Sequence, residues 1–167
     1  KDAEKLNELI INFPFNTTGK TERDFENGFA ISLMNNKSAY NSEIRTQVDK
    51  NAKVPSVYCF GKKHRPDIAL VHDKIPDIAL ELKFITYAGL KDAIRQGHLY
   101  RLDYKFVFLI LVISEERKII YEDIEKGEEK NLIELLEYLA EHMKIFTYVV
   151  PAFNLKPGIR KCVEFFL

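Results

Sequence analysis

Residues 65–84 read RPDIALVHDKIPDIALELKF and contain the pentapeptide PDIAL twice, ten positions apart. In each copy apolar residues alternate with small or polar ones, and a short turn around Asp73 and Lys74 separates the copies. This period-two pattern predicts two strands of one antiparallel hairpin. Asp67 and Asp77 are both candidates for a functional acid, and the pairing of the two strands discriminates between them.

The register follows from the length of the connecting loop. A loop of residues 73–75 predicts that the numbers of opposed residues sum to 148, so that Asp67 faces Glu81 with Cβ atoms about 4.5–5.5 Å apart. Period-two alternation places Lys83 on the same face. Asp77 shares that face but lies four residues, about 13 Å, from Glu81 along the strand. The register therefore favours Asp67 over Asp77.

The chemistry of such a patch follows from its charges. Two carboxylates side by side repel each other unless a cation lies between them or one keeps its proton. A hard divalent ion binds one or two carboxylates plus water and leaves positions for phosphate oxygens, and a neighbouring lysine can stabilise charge on a phosphoryl group. Asp67, Glu81 and Lys83 therefore predict metal-assisted phosphodiester hydrolysis. The alternative interpretation is an exposed strand face with an ordinary Glu81–Lys83 ion pair.

The remaining pattern predicts an α/β sandwich around a mixed sheet. Apolar residues at helical spacing predict helices over 2–13, 21–36 with Thr21 as N-cap, 90–103 after Gly89, and 132–143. Alternating or continuous apolar runs predict further strands over 43–48, 55–60, 105–113, 145–151 and 159–167. The segment 61–66 is predicted to interrupt the chain before the hairpin, and 114–129 to be a polar connection.

Composition and charge set limits on the function. With 46% hydrophobic and 30% charged residues, the 167-residue chain is typical of one soluble domain and excludes disorder. No run is long enough to span a membrane, and no secretory leader is found, so we expect a cytoplasmic protein without a membrane partner. The two isolated cysteines, Cys59 and Cys162, argue against zinc, iron–sulfur and disulfide sites.

The net charge of zero conceals an uneven distribution. Residues 50–105 contain 11 Lys or Arg and 6 Asp or Glu, a balance of +5, whereas residues 115–141 contain 4 and 10, a balance of −6. A basic surface of this kind is compatible with nucleic acid binding. Two solvated faces of opposite sign would give the same totals.

The motif PD at 66–67 followed by ELK at 81–83 resembles the PD-(D/E)XK nuclease superfamily, which includes restriction endonucleases, archaeal Holliday junction resolvases and RecB-type exonucleases. The resemblance covers about residues 21–113. It implies a restriction-endonuclease-like α/β/α sandwich with a central mixed sheet, forming a single nuclease domain over 1–167 that residues 128–167 complete. Homodimerisation through these C-terminal residues is the other role compatible with them.

The resemblance also implies roles for individual residues. Asp67, Glu81 and the main-chain carbonyl of Leu82 would bind Mg²⁺ or Mn²⁺, and Lys83 would activate water or stabilise the transition state. The activity implied is hydrolysis of DNA without strong sequence specificity, because no recognition domain is visible. Restriction, repair, recombination and mobile-element replication are all compatible pathways, and a catalytically inactive nucleic-acid-binding or scaffolding protein is the alternative function.

Supporting residues are implied on the flanking helices. Gln96 and Tyr100, four residues apart and so on one helical face, are similar to the QxxxY motif of the RecB-type branch. The family often places a glutamate on the first helix of the core; Glu26 is favoured here, with Glu22 as the alternative. Five basic residues next to these motifs are candidates for phosphate contacts: Lys62, Lys63, Arg65, Arg95 and Arg101.

Overall fold

The computed structural model describes residues 1–167 and is an α/β/α sandwich with a six-stranded mixed sheet. The strands are β1 (Glu43–Thr46), β2 (Val57–Cys59), β3 (Lys62–His64), β4 (Ile68–His72), β5 (Ile75–Phe84), β6 (Phe106–Ile113), β7 (Ile145–Pro151) and β8 (Val163–Phe165). The helices are α1 (Asp2–Asn12), α2 (Phe15–Thr18), α3 (Glu22–Asn35), α4 (Tyr87–Tyr100), α5 (Lys118–Lys126) and α6 (Lys130–Met143), with single 3₁₀ turns at Lys37–Ala39 and Glu115–Arg117.

The sheet has the strand order β1-β4-β5-β6-β7-β8, and β2 and β3 form a separate hairpin. Strands β1, β4 and β5 are an antiparallel meander, β5, β6 and β7 are parallel, and β8 returns antiparallel at the far edge. The continuously apolar β6 lies inside the sheet, as its sequence predicts, because a parallel strand covered on both faces has no polar side. None of the helices has the length and hydropathy that crossing a bilayer requires.

Two hydrophobic cores lie on opposite faces of the sheet. On one face, α1 and α3 pack through residues such as Leu6, Phe25 and Phe29. On the other face, α4, α5 and α6 pack over the small pair Ala69 and Ala79 and over the apolar residues of β6 and β7. The face of β5 that carries Glu81 is therefore covered by a helical layer and is not an exposed sheet surface.

Local signals set the start of the two helices that border the site. Thr21 begins α3 with a capping box, as predicted: its side chain accepts from the N–H of Asp24, and Asp24 accepts from the N–H of Thr21. Helix α4 begins earlier than predicted, at Tyr87, because Thr86 accepts the N–H of Gly89. A Cβ at Gly89 would lie 2.5 Å from the carbonyl oxygen of Phe84, so only glycine allows this approach.

The hairpin pairs in the predicted register over its first part and departs from it near the turn. Ala69 faces Ala79, and its two neighbours in β4 also pair with a residue sum of 148. Beyond a bulge the sum becomes 147, so that His72 faces Ile75. The prediction of a three-residue loop was wrong: only Asp73 and Lys74 form it, both at positive φ as a two-residue hairpin turn requires.

Two other predictions about elements were wrong. Residues 62–64, predicted as part of a break, form β3, which pairs with β2 across a turn at Phe60 and Gly61. The predicted polar connection contains α5, whose buried face holds Tyr121 and Ile124. Both elements are short, and charged residues outnumber the apolar ones that would have indicated them.

Candidate active site

Strand β5 extends beyond the end of β4, and the candidate site lies along this free edge. The last ladder pair of the two strands is Ile68 with Leu80. The same register would place Pro66 opposite Leu82, but proline has no N–H to donate to the Leu82 carbonyl, so the ladder ends here. The N–H of Leu82 donates to Oδ2 of Asp67 at 2.8 Å, and the Pro66 carbonyl accepts from the side chain of Gln47. Pro66 and Asp67 therefore mark the end of the pairing between β4 and β5, and the carboxylate of Asp67 points toward β5.

A second carboxylate lies at the next position along the same edge. The N–H of Phe84 donates to Oε2 of Glu22 at 2.9 Å. Glu22 is in the first turn of α3, which approaches this edge from the opposite face to α4. The side chains of Asp67 and Glu22 thus accept hydrogen bonds that the main chain of a longer β4 would accept.

Glu81 is buried, with 3% of its surface exposed, and both of its carboxylate oxygens have partners. Oε2 lies 3.0 Å from the hydroxyl of Tyr100 on α4, and Oε1 lies 3.4 Å from Nζ of Lys83. The Tyr100 hydroxyl also lies 3.1 Å from the carbonyl oxygen of Arg65. One phenol therefore connects α4, β5 and the segment that leads into Asp67.

Lys83 forms the cationic centre of the group. Its ammonium lies 3.4 Å from Glu81 and 3.6 Å from Oε1 of Glu22. Partial burial acts to lower the pKa of Lys83, but the negative charges of Glu81, Glu22 and Asp67 outweigh this effect and raise it. Lys83 is therefore a stable cation between acids, and its charge is available to an anionic substrate.

The cluster contains several carboxyl groups, and the single positive charge of Lys83 does not neutralise all of them. Burial, and then repulsion from Glu81, raises the pKa of Asp67 to about 7. Burial also raises the pKa of Glu81 to about 7, against the opposing effects of Lys83 and the Tyr100 hydrogen bond. Burial, and then the charges of Asp67 and Glu22, raises the pKa of Glu26 to about 7. In the absence of a cation, these carboxyl groups hold protons near neutral pH.

The donor set fits a divalent cation. An ion between Asp67 and Glu81 would remove the repulsion that raises their pKa values. The N–H and C=O of one strand residue point to the same side, so the carbonyl of Leu82 is directed toward the same gap as the N–H that reaches Asp67. No group of three or more His, Cys, Asp or Glu side chains is arranged to hold a metal; Mg²⁺ commonly uses one or two carboxylates and completes its shell with water.

Gln96 lies on the face of α4 that carries Tyr100 and is partly buried. Its Oε1 atom is buried and has no hydrogen-bond partner within the protein. A buried amide oxygen without a partner is costly, so this position is prepared to receive a donor. The sequence motif and the structure therefore both single out Gln96, for independent reasons.

The five predicted phosphate contacts fall into different environments. Lys62, Lys63 and Arg65 are exposed in and after β3, directly before Pro66. Arg95 is exposed on α4 and forms a 3.2 Å ion pair with Asp92. The guanidinium of Arg101 donates to the main-chain carbonyls of Met143 and Tyr104. These bonds hold the guanidinium of Arg101 against the main chain.

The structure adds one residue that the sequence did not indicate. The side-chain amide of Gln47 donates to the carbonyl of Pro66 at 2.9 Å, and its N–H donates to the carbonyl of Asp67 at 3.3 Å. Gln47 follows β1, and its position beside Asp67 depends on how β1 pairs with β4. Only the register of these two strands could have identified it.

A groove of about 1,120 Å³ opens next to the acids, between α3 and residues 46–50. Glu22 and Glu26 lie on one wall with Arg23, and Gln47 and Lys50 lie on the other. The groove therefore borders the candidate site through Glu22, which contacts Lys83, and through Gln47, which contacts Asp67.

Comparisons with models of known protein families and with curated protein sequences find no match for this chain.

Proposed function

We propose that this protein is a divalent-metal-dependent nuclease that hydrolyses DNA phosphodiester bonds without strong sequence specificity. The observation that carries the proposal is the group formed by Asp67, Glu81 and Lys83 at the free edge of β5. The PD-(D/E)XK resemblance supports the same function. The element order α3, β1-β4-β5 meander, α4, β6 is the order that this resemblance implies.

In this proposal Asp67, Glu81 and the carbonyl of Leu82 hold Mg²⁺ or Mn²⁺. Such an ion supplies positive charge to a phosphate and makes a hydroxide nucleophile accessible at neutral pH. The two carboxylates bind it in their ionised form, and their proximity, which is unfavourable without a cation, becomes favourable with one.

The remaining residues of the site stabilise charge on the phosphate and orient the metal-binding carboxylates. The ammonium of Lys83 stabilises the negative charge that develops on the phosphoryl oxygens, and its ion pairs with Glu81 and Glu22 keep it at the edge of β5. Tyr100 orients Glu81 through the 3.0 Å contact. Gln96 offers a free amide oxygen from the same helix face.

The experiment is a cleavage assay on single-stranded, duplex, nicked and branched DNA with Mg²⁺, with Mn²⁺ and with EDTA. The variants Asp67→Asn, Glu81→Gln and Lys83→Gln are each expected to lose activity by about a hundredfold or more. Asp77→Asn and Lys74→Gln, in the same hairpin but away from the site, serve as matched controls and should cleave at the wild-type rate.

Metal-dependent cleavage that survives in all three site variants would contradict the proposed mechanism. A folded wild-type protein that binds DNA but never cleaves it would instead support the inactive binding or scaffolding function. Circular dichroism and thermal unfolding of each variant separate loss of chemistry from loss of fold.

A further inference from the structure

The small hairpin formed by β2 and β3 projects an aromatic and basic surface beside the candidate site. Tyr58 and Lys63 are directly opposed across the two strands, and both are exposed, Tyr58 by 68%. Phe60 and Gly61 form the turn at the tip, and Phe60 is fully exposed. An aromatic ring at the tip and a tyrosine–lysine pair on one face are thus presented to solvent together.

The base of this hairpin is fixed to the protein core. Val54 and Val57 are buried in the layer under α4. The hydroxyl of Tyr104 donates to the carbonyl of Pro55 at 2.7 Å, and the Tyr100 hydroxyl lies 3.1 Å from the carbonyl of Arg65. The exposed surface is therefore mounted on a rigid base and is not a free loop.

Phe60 has no role in the fold that would explain its place. Its backbone is in the left-handed region, at φ 49°, where Asn or Gly is the usual residue and a bulky side chain is uncommon. Its ring is solvated, so it gains no burial in return. A large apolar side chain kept at a strained turn and exposed to water is the arrangement expected of a ligand contact.

Charge identifies the kind of ligand. Residues 51–66 contain four basic residues and no Asp or Glu. Cations interleaved with exposed aromatic rings form a surface that binds unpaired nucleotides, because bases stack on the rings and lysines neutralise phosphates. Duplex DNA keeps its bases stacked inside the helix and would use only the lysines.

We propose that the β2–β3 hairpin binds single-stranded DNA, with bases stacked on Tyr58 and Phe60 and phosphates bound by Lys63 on the face of Tyr58. The binding function is independent of catalysis; its consequence for cleavage rests on the proposed nuclease function. Phe60 and Asp67 are seven residues apart, at most about 23 Å of extended chain, or about seven base steps of 3.4 Å. The substrate class is then DNA with an unpaired segment within about seven nucleotides of the incision.

The chain contains no tryptophan, so a Phe60→Trp substitution supplies a single fluorescent reporter at the tip. Titration with an oligothymidylate of about 20 nucleotides in EDTA should quench this fluorescence through base stacking. A blunt duplex of equal length should quench it little. Tyr138→Trp, at an exposed position of the acid-rich α6, is the matched control and should not be quenched.

Affinity gives a second readout. Phe60→Ala is expected to weaken binding of the same oligothymidylate by about tenfold, and Tyr58→Ala combined with Phe60→Ala by more. Tyr138→Ala should change it by less than about twofold. Because Tyr58 and Phe60 are exposed, these variants should keep the wild-type unfolding temperature.

The two proposals fail separately. Unquenched Phe60→Trp fluorescence, or an equal loss of single-strand and duplex affinity in the alanine variants, would overturn the hairpin inference even if the protein cleaves DNA. Quenching without any metal-dependent cleavage would support the hairpin inference and contradict the nuclease function.

Discussion

The hydroxyl oxygen of Tyr100 lies 3.0 Å from Oε2 of Glu81 and joins helix α4 to the free edge of β5. The same oxygen lies 3.1 Å from the carbonyl of Arg65. A hydroxyl has one hydrogen, so it donates to Glu81 when that carboxyl is ionised and can donate to Arg65 when Glu81 is protonated. The single hydroxyl of Tyr100 therefore contacts both Glu81 and the segment before Asp67.

Removing this hydroxyl should affect catalysis more than stability. Tyr100→Phe takes a donor from a buried carboxylate, and we expect the cleavage rate to fall by about tenfold or more and the free energy of unfolding by about 1 kcal/mol. Tyr148→Phe is the matched control, because its hydroxyl donates to Oδ1 of Asn7 in the core on the other face of the sheet. It should lose similar stability and keep its cleavage rate. Equal loss of rate in both variants would contradict the orienting role.

The raised pKa values of the acids predict how stability depends on pH. Since the pKa values of Asp67 and Glu81 are about 7 in the folded protein and about 4 in unfolded chains, the folded state binds more protons between these limits. The free energy of unfolding therefore receives a favourable contribution below pH 4 that is lost as pH rises to 7. Each group contributes at most about 1.4 kcal/mol per pH unit.

Urea unfolding in EDTA at pH 5, 6, 7 and 8 measures this effect. Glu81→Gln should flatten the pH dependence and be more stable than the wild type at pH 8 by about 1–3 kcal/mol. Glu134→Gln, an exposed acid of α6, should unfold with the wild-type dependence. Identical pH profiles for the wild type and Glu81→Gln would show that Glu81 does not hold its proton in the folded protein.

Metal binding should be visible as a thermal shift without any substrate. At ten times its dissociation constant, a bound ion adds about 1.4 kcal/mol, which corresponds to about 3–6 °C for a chain of this size. We expect Mg²⁺ or Mn²⁺ to produce this shift in the wild type and in Asp77→Asn, but not in Asp67→Asn or Glu81→Gln. A shift of the same size in all four proteins would place the ion elsewhere.

Glu22 and Glu26 lie one turn apart on α3 and should have separable roles. Glu22 contacts Lys83 and the N–H of Phe84. The pKa of Glu26 is raised first by burial and then by the negative charge of Asp67, which indicates that Glu26 lies near that proposed metal ligand. We expect Glu22→Gln to lower kcat by about tenfold without changing the metal concentration at half-maximal rate. Glu26→Gln should instead raise that concentration, and should be more stable than the wild type at pH 8 in EDTA. If Glu22→Gln raised the metal concentration at half-maximal rate and Glu26→Gln lowered only kcat, the roles of the two residues would be exchanged.

Much of the site could be predicted because it depends on one local pairing. The alternation in the two PDIAL copies defined both strands and predicted Asp67, Glu81 and Lys83 on one face of the hairpin. The loop length was wrong by one residue, yet a bulge restored the register before the acids, so Ala69 still faces Ala79. The predicted register therefore held from Ile68 to Leu70 and failed at the turn, and the ladder ends one residue before the predicted pair of Asp67 with Glu81.

The partners of these residues could not be predicted in the same way. Glu22 reaches Phe84 from 62 residues away, and Gln47 reaches the Pro66 carbonyl from 19 residues away. Sequence favoured Glu26 over Glu22 without a means of distinguishing two acids on one helix face. The strand predicted over 55–60 contains β2, but its pairing with β3 was missed, because the three residues of β3 are too few to show periodicity.

The sequence by itself determined the α/β class, the central strand β6 and the position of the two carboxylates and the lysine, because strand alternation and hairpin pairing are local properties. Only the tertiary structure decided how burial and repulsion raise the pKa values of Asp67 and Glu81 to about 7, which helix residues contact them, and where the basic hairpin stands. These features arise from the packing of distant elements, whose relative positions no short stretch of sequence encodes.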